Sequence, residues 1–354
     1  MALTFDHVSL GQRVRFGAGK ATENLAAEVA AFDAKRVMVI ASGAGSRIAA
    51  DVSSGFDVAL NYTDVAAHVP IEKARKARAA ASDHRIDLLV SIGGGSTTGL
   101  AKAVAMTSGL PIVAVPTTYA GSEATNVWGL TEASRKSTGV DDGVLPATVI
   151  YDAALTLSLP VELSVASGLN GLAHCIDSMW APRANPINQA LAAEGIRALN
   201  RGLPRIFQDP QDLAGREQAL YGAYLSAVAF ASAGSGMHHK ICHVLGGTWN
   251  MPHAQTHAIV LPYVLAFNAP LAPDAAARIA GAFGSDDAVT GLNRLCTAVN
   301  APRALKDYGF AERNIPEAVE RILPGIPASN PRKATRANLT ELLTAAWAGT
   351  IPGS

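Results

Sequence analysis

Residues 87–103 read DLLVSIGGGSTTGLAKA, and the fold turns on them. Asp87–Ile92 is short, apolar and followed at once by glycine, which predicts a buried strand. Gly93-Gly94-Gly95-Ser96-Thr97 then turns the chain, and Thr97–Met106 reads as a helix. Glycines there let the backbone approach a phosphate, and a helix N-terminus presents unpaired N–H groups and a positive dipole end. A tight strand–helix turn needs glycine for steric reasons too, but a triple glycine followed by Ser-Thr exceeds that need. Gly17-x-Gly19 and Gly43-x-Gly45 lack a third glycine, and each is weak alone.

Outward from this stretch, strand-like and helix-like runs alternate. Arg36–Ile40, Val58–Tyr62, Ile112–Pro116 and Thr148–Tyr151 predict strands, and a helix is expected from Pro70 to about Ala81. Such alternation implies a parallel sheet covered on both faces. The polar stretch Thr125–Val144 interrupts it, with Val127–Leu130 and Lys136–Thr138 able to pair as a hairpin. After Asp152 the chain becomes Ala- and Leu-rich, and Pro186–Phe207, Asp212–Ala233, Pro252–Phe267 and Ala272–Phe283 read as helices. The boundary falls near Leu159–Pro160. Residues 1–159 are thus expected to form an α/β domain with a parallel sheet, and residues 160–354 an all-α domain. No internal repeat or low-complexity tract is visible.

Composition narrows the function classes. The 354 residues are 49% hydrophobic, with 29 Lys+Arg against 29 Asp+Glu, so general disorder is excluded and nucleic acid or an anionic membrane is a poor main partner. Cys175, Cys242 and Cys296 lie far apart, without the spacing of a thiolate zinc site or a disulfide framework, and fit a reducing compartment. Residues 1–19 lack the order of a signal peptide. Gln218–Met237 carries no charge over about 20 residues, the length that spans a bilayer, but Gly222, Gly234 and Gly236 and several serines dilute it. It reads as a helix buried on all sides of a soluble domain. A soluble, cytoplasmic chain is expected.

Two further groups carry chemistry. The strand after the glycine turn ends in Pro116-Thr117-Thr118-Tyr119-Ala120-Gly121-Ser122-Glu123. Hydroxyls at the carboxyl edge of a parallel sheet lie where a dinucleotide binds, although such residues also cap their own loops. Of nine histidines, five are His238, His239, His243, His253 and His257. On a helix His239 and His243 share a face, and Asn170-x3-His174 forms a second pair at the same spacing. Imidazoles so spaced are the usual material of divalent metal sites. A shared polar site is expected; whether it holds a metal is a separate question.

These residues together resemble the iron-containing alcohol dehydrogenase superfamily over nearly the whole chain. Within it the likeness is nearest to the maleylacetate reductase family. The motifs that carry it are GGGSTTGLAKA (93–103), VPTTYAGSEAT (115–125), VLPATVIYDAALTLSLP (144–160), SGLNGLAHCID (167–177) and HVLGGTWNMPHAQTHAIVLP (243–262). The resemblance implies an α/β dinucleotide-binding domain over residues 1–159, an all-helical substrate and catalytic domain over residues 160–354, and a cleft between them. Metal-dependent members hold a divalent ion with one Asp and three His, at positions that are Asn170, His174, His239 and His253 here. Asn170 removes the anionic ligand, and an amide oxygen is a weaker donor. Some zinc sites manage with three His and water, so His174, His239 and His253 remain the ligands if a metal binds. Where metal-dependent members carry Asp in the glycine loop, this chain has Gly99.

The resemblance implies reduction of a conjugated C=C in maleylacetate to give 3-oxoadipate, in aromatic-compound degradation. Hydride reaches the β-carbon of the enone, and the enolate left behind is protonated. Hydrogen-bond donors or protonated imidazoles can stabilise that charge where an alcohol dehydrogenase uses a Lewis acid. His243 is expected to donate the proton, with His253 beside it. His174 and His239 are expected to bind carboxylate or enolate oxygen, and Asn170 to donate an amide N–H. Gly94, Gly95 and Ser96 are expected to hold the pyrophosphate, with Thr117, Thr118 and Ser122 along the cofactor and Leu155 against its rings. No carboxylate follows the second strand at Ala41-Ser42-Gly43, and Ser42 can bond to either cofactor, so both NADH and NADPH are expected. Metal is not expected, and a homodimer is. The competing readings are a metal-dependent alcohol or polyol dehydrogenase, a lyase of the dehydroquinate synthase type, and a non-catalytic binding protein. The lyase needs a Lys/Arg phosphate site, for which Arg183, Arg197, Arg201 and Lys240 form no obvious cluster.

Overall fold

The computed structural model describes residues 4–132 and 135–352. It divides into two compact units, residues 10–159 and residues 160–352 joined by residues 4–9. The expected domain ends at residues 1 and 354 lie outside the described residues.

The first unit holds strands β1 (Arg13–Phe16), β2 (Val37–Ile40), β3 (Val58–Tyr62), β4 (Leu88–Gly93), β5 (Ile112–Pro116) and β8 (Thr148–Tyr151) in one sheet. Its order is β1-β8-β5-β4-β2-β3, and every pairing is parallel. Helices α1 (Ala21–Ala31), α2 (Ser46–Val52), α3 (Ile71–Asp83) and α4 (Gly95–Ser108) cover it. The period of two in a strand explains the layering. Val37 and Val39 of β2 face a core with Leu25 and Val29 of α1, while Met38 and Ile40 face Ala74 and Ala77 of α3 and Leu100 of α4. Strands buried on both faces read as continuous apolar runs, as β2 and β4 do. The strand order reverses between β2 and β4, so their carboxyl ends flank the crevice where open α/β sheets bind ligands. Strands β6 (Val127–Glu132) and β7 (Arg135–Val140) pair antiparallel as the expected hairpin.

The second unit is helical, with α5 (Val161–Ser178), α6 (Pro186–Gln208), α7 (Leu213–Ala233), α8 (Met237–Trp249), α9 (His253–Asn268), α10 (Pro273–Phe283), α11 (Ala288–Ala298), α12 (Ile315–Ile322) and α13 (Arg336–Ala348). Its two apolar cores centre on α5, α6 and α9, and on α8, α9, α12 and α13. The parallel sheet followed by helices is the expected fold class.

Three expectations need correction. Gln218–Met237 is not one helix: α7 ends at Ala233, where Gly234 takes φ +88°, and α8 starts afresh at Met237. Nor is it buried all round, since Tyr221 is exposed. No helix among the described residues is long and apolar enough to cross a membrane. Residues 4–9 group with the helical unit instead of the sheet unit, because Asn185 Nδ2 donates to the Asp6 carbonyl at 3.2 Å and Ser232 Oγ lies 3.2 Å from His7 Nδ1.

Candidate functional site

In the sheet unit the glycine turn is as tight as its sequence implies. Gly93 takes φ +148°, and a Cβ there would sit 2.6 Å from Thr97 Oγ1. A Cβ on Gly94 would meet Thr118 Cγ2 at 3.1 Å. Thr117 N donates to Gly93 O at 3.0 Å, so Thr117 and Thr118 lie directly beside the turn. No side chain caps α4, whose first N–H groups are therefore presented in the way that binds anions. Ser122 opens a short turn after Gly121. Leu155 lies half-buried in the turn Ala153–Thr156, whose N-cap Asp152 accepts from Ala154 N at 2.9 Å and also holds Gly19 N and Ala21 N.

Sequence reasoning passed over Lys102. It is fully buried on α4, and its Nζ donates to the carbonyls of Ser122 at 2.7 Å, Thr125 at 2.8 Å and Val127 at 2.8 Å. The loop that carries Ser122 is thus tied to the helix that follows the glycines. Burial pushes Lys102 down to about 7, opposed by the charge of Glu123. Glu123 is buried as well, its carboxyl raised by burial and accepting from Tyr151 Oη at 2.9 Å. A charged residue within the apolar run LAKA was the available signal.

Ser42 stands at the carboxyl end of β2, but its Oγ accepts from Gly45 N at 3.3 Å and so caps a local turn. Beside it a cavity of about 320 Å³ lies between α2 and the carboxyl ends of β2 and β3, lined by Ser46, Ser53, Asn61 and Thr63 among others and, among the described residues, by no carboxylate.

In the helical unit α5 carries Asn170 and His174, α8 carries His239 and His243, and α9 carries His253. The rings of His174 and His239 stack at 4.9 Å and 12°, and His243 lies 5.9 Å from His239. His253 joins through His257, whose ring is 4.4 Å from His253 and 5.0 Å from His239. Phe230 closes one side, 4.3 Å from His239. The expected residues therefore do form one patch, with a graded exposure: Asn170, His174 and His239 are buried, His243 half-buried and His253 exposed. Burial pushes His174 down to about 4 and His239 well below its ordinary value, so both rings rest neutral near pH 7. Asn170 Oδ1, His174 Nδ1 and His239 Nε2 are buried without a partner inside the protein.

Asp177, which received no role from the sequence, ties α5 to His239 and the start of α8. Its Oδ2 lies 2.7 Å from His239 Nδ1 and accepts from Gly236 N at 2.9 Å. Burial pushes Asp177 up to about 7, opposed by backbone N–H groups at the start of α8. Its spacing of seven from Asn170 on one helix was the readable signal. His238 and His257 form a second layer, joined by a 3.0 Å hydrogen bond between Nε2 and Nδ1. Among the described residues, the His, Cys, Asp or Glu ligand atoms that converge within 4.8 Å belong to His238, Cys242 and His257. That group differs from the His174, His239 and His253 set expected from the resemblance. Cys175, Cys242 and Cys296 are free thiols.

Comparison with known proteins adds to this geometry. Residues 11–153 match the family described as iron-containing alcohol dehydrogenase, and residues 164–347 the C-terminal part of the Fe-containing alcohol dehydrogenase family. A maleylacetate reductase of Burkholderia cepacia is 43% identical over 342 residues, covering 96% of this chain and 97% of its own. The crystal structure of an iron-containing alcohol dehydrogenase from Corynebacterium glutamicum is 63% identical, with a TM-score of 0.98 and 99% of each chain covered. That of a maleylacetate reductase from Agrobacterium tumefaciens is 36% identical, with a TM-score of 0.94, covering 99% of this chain and all of the other. The chain is an oxidoreductase that belongs to the iron-containing alcohol dehydrogenase family, in the branch that holds the maleylacetate reductases.

Proposed function

We propose that this chain reduces the conjugated C=C of maleylacetate to 3-oxoadipate, using NADH or NADPH and no metal. The observation that carries the reading is Asn170. It lies buried beside neutral imidazoles, at the position where metal-dependent members of the family place their anionic ligand. Asn170, His174, His239 and His253 offer only neutral donors, so a divalent ion there would lack the anionic ligand of the metal-dependent members, and His253 is exposed. A site without a carboxylate at position 170 suits a doubly anionic substrate, which such a group would repel.

In this reading a hydride leaves the nicotinamide for the β-carbon of the enone. The π electrons move onto the ketone oxygen as an enolate, and a proton then returns to the α-carbon. Asn170 Nδ2 donates to substrate oxygen, and His243 supplies the proton with His253 beside it at the exposed edge. The cofactor's pyrophosphate rests on Gly94, Gly95 and Ser96, and its length runs past Thr117, Thr118, Ser122 and Leu155. The cavity between α2 and the carboxyl ends of β2 and β3, lined by no carboxylate among the described residues, leaves a 2′-phosphate unopposed and supports use of both cofactors. We also propose a homodimer, which light scattering in solution tests directly.

The test is NADH consumption with maleylacetate before and after exhaustive chelation. Activity that survives supports the metal-free reductase. Loss with chelation and recovery with iron or zinc overturns the metal-free part alone. No turnover favours the second reading, a metal-dependent alcohol dehydrogenase, which the name of the 63% identical Corynebacterium protein keeps in view.

A further inference from the structure

We propose that Asp177 is a positioning residue for this reaction: it binds His239 through Nδ1 and thereby fixes Nε2 as the ring atom offered to the substrate. Asn170, His174 and Asp177 fall at i, i+4 and i+7 on α5 and share one face. Asp177 is fully buried, and its Oδ2 makes the 2.7 Å contact to His239 Nδ1. The same oxygen accepts from Gly236 N at 2.9 Å, at the N-cap of α8, where helix N–H groups and the dipole favour an anion. Because backbone N–H groups already donate to Oδ2, it faces His239 Nδ1 as an acceptor. Neutral His239 then carries its one proton on Nδ1 and a lone pair on Nε2.

Three features give this arrangement a direction. His239 Nε2 is buried with no partner in the protein. The ring packs against His174 at 4.9 Å and Phe230 at 4.3 Å, which holds it where Nδ1 meets Asp177. Gly236 leaves room for the carboxylate, since a Cβ there would stand 2.3 Å from Asp177 Oδ1. Proton donation to the enolate stays with His243.

The assignment of a kinetic effect rests on the reductase reading; the tautomer does not. Nitrogen-15 NMR of histidine-labelled wild-type protein reads the tautomer directly, with His239→Ala to assign the signals. The expected result is a protonated Nδ1 and a bare Nε2 on His239, and a proton on Nε2 instead overturns the proposal. Asp177→Asn is expected to lower kcat by about 10–100-fold, the usual range for a group that orients a functional histidine. KM for NADH is expected to be unchanged. In the His239→Ala background the same substitution is expected to cost less than about twofold in kcat, a readout that a purely structural role would not give. Equal losses in both backgrounds overturn the proposal. If Asp177→Asn does not fold, the wild-type spectrum still decides. Absence of maleylacetate turnover would fell the reductase reading and leave the tautomer result standing.

Discussion

His243, the proposed proton donor, is half-buried beside His239, a ring that burial keeps neutral. Replacing it by Ala is expected to lower kcat by about 10²–10⁴-fold, the range for a lost acid–base group. An unchanged kcat removes it from the mechanism. Asn170→Asp tests the electrostatic argument from the other side. It is expected to raise KM for the dicarboxylate at least ~10-fold, through like-charge repulsion in a buried site, and to give the protein a divalent ion detectable by elemental analysis. A variant with unchanged KM and no metal would separate position 170 from both effects. At this scale the identity of the patch was legible, because imidazoles at helical spacing can be counted along the chain. The exposure gradient and the Asp177 contact were not, because they depend on how α5, α8 and α9 pack.

Among the elements, the turn from β4 into α4 was read correctly because its glycines, strand and helix agree with one another. The helix begins at Gly95, two residues before the expected Thr97, since glycine propensity is overridden where the turn itself starts the helix. Strand β1 was missed because RVRF is short, charged and at the sheet edge, and its partner β8 lies far along the chain. Helices α1 and α2 were missed as well; both begin without a side-chain cap, and α2 is only seven residues long. The tie between α4 and the Ser122 loop predicts a measurable cost. Lys102→Met leaves buried carbonyls without a donor, and each unsatisfied group costs about 1–3 kcal/mol. Its thermal midpoint is expected to fall, and KM for NADH to rise as Ser122 loses its anchor. Normal values of both would show that the loop holds its shape without Lys102.

For the whole molecule the buried imidazoles imply acid lability. His174 at about 4 and His238 at about 3 lie below their ordinary value of 6.5, and His239 and His257 are lowered as well, all chiefly by burial. The unfolded chain therefore takes up protons that the folded chain refuses. Stability is present above about pH 6.5 and is lost as pH falls from there, on the order of 1 kcal/mol per pH unit for each uncompensated proton. Asp177, raised to about 7, opposes this with one group against several, because it binds its proton more readily when folded. Melting at pH 5 is expected at least ~5 °C below melting at pH 7.5, and equal midpoints would mean that the rings titrate normally in the folded protein.

The sequence by itself determined the sheet-then-helix order, the glycine turn and the set of histidines. Each rests on local rules: strand and helix periodicity, the steric freedom of glycine, and residue identity. Only the tertiary structure decided which ring is buried and which exposed, that Lys102 secures the Ser122 loop, and that Asp177 grips His239. The partners in these contacts are 20 and 62 residues apart in the chain. Burial and hydrogen bonding between such distant groups arise when helices and loops pack, and no local pattern carries them.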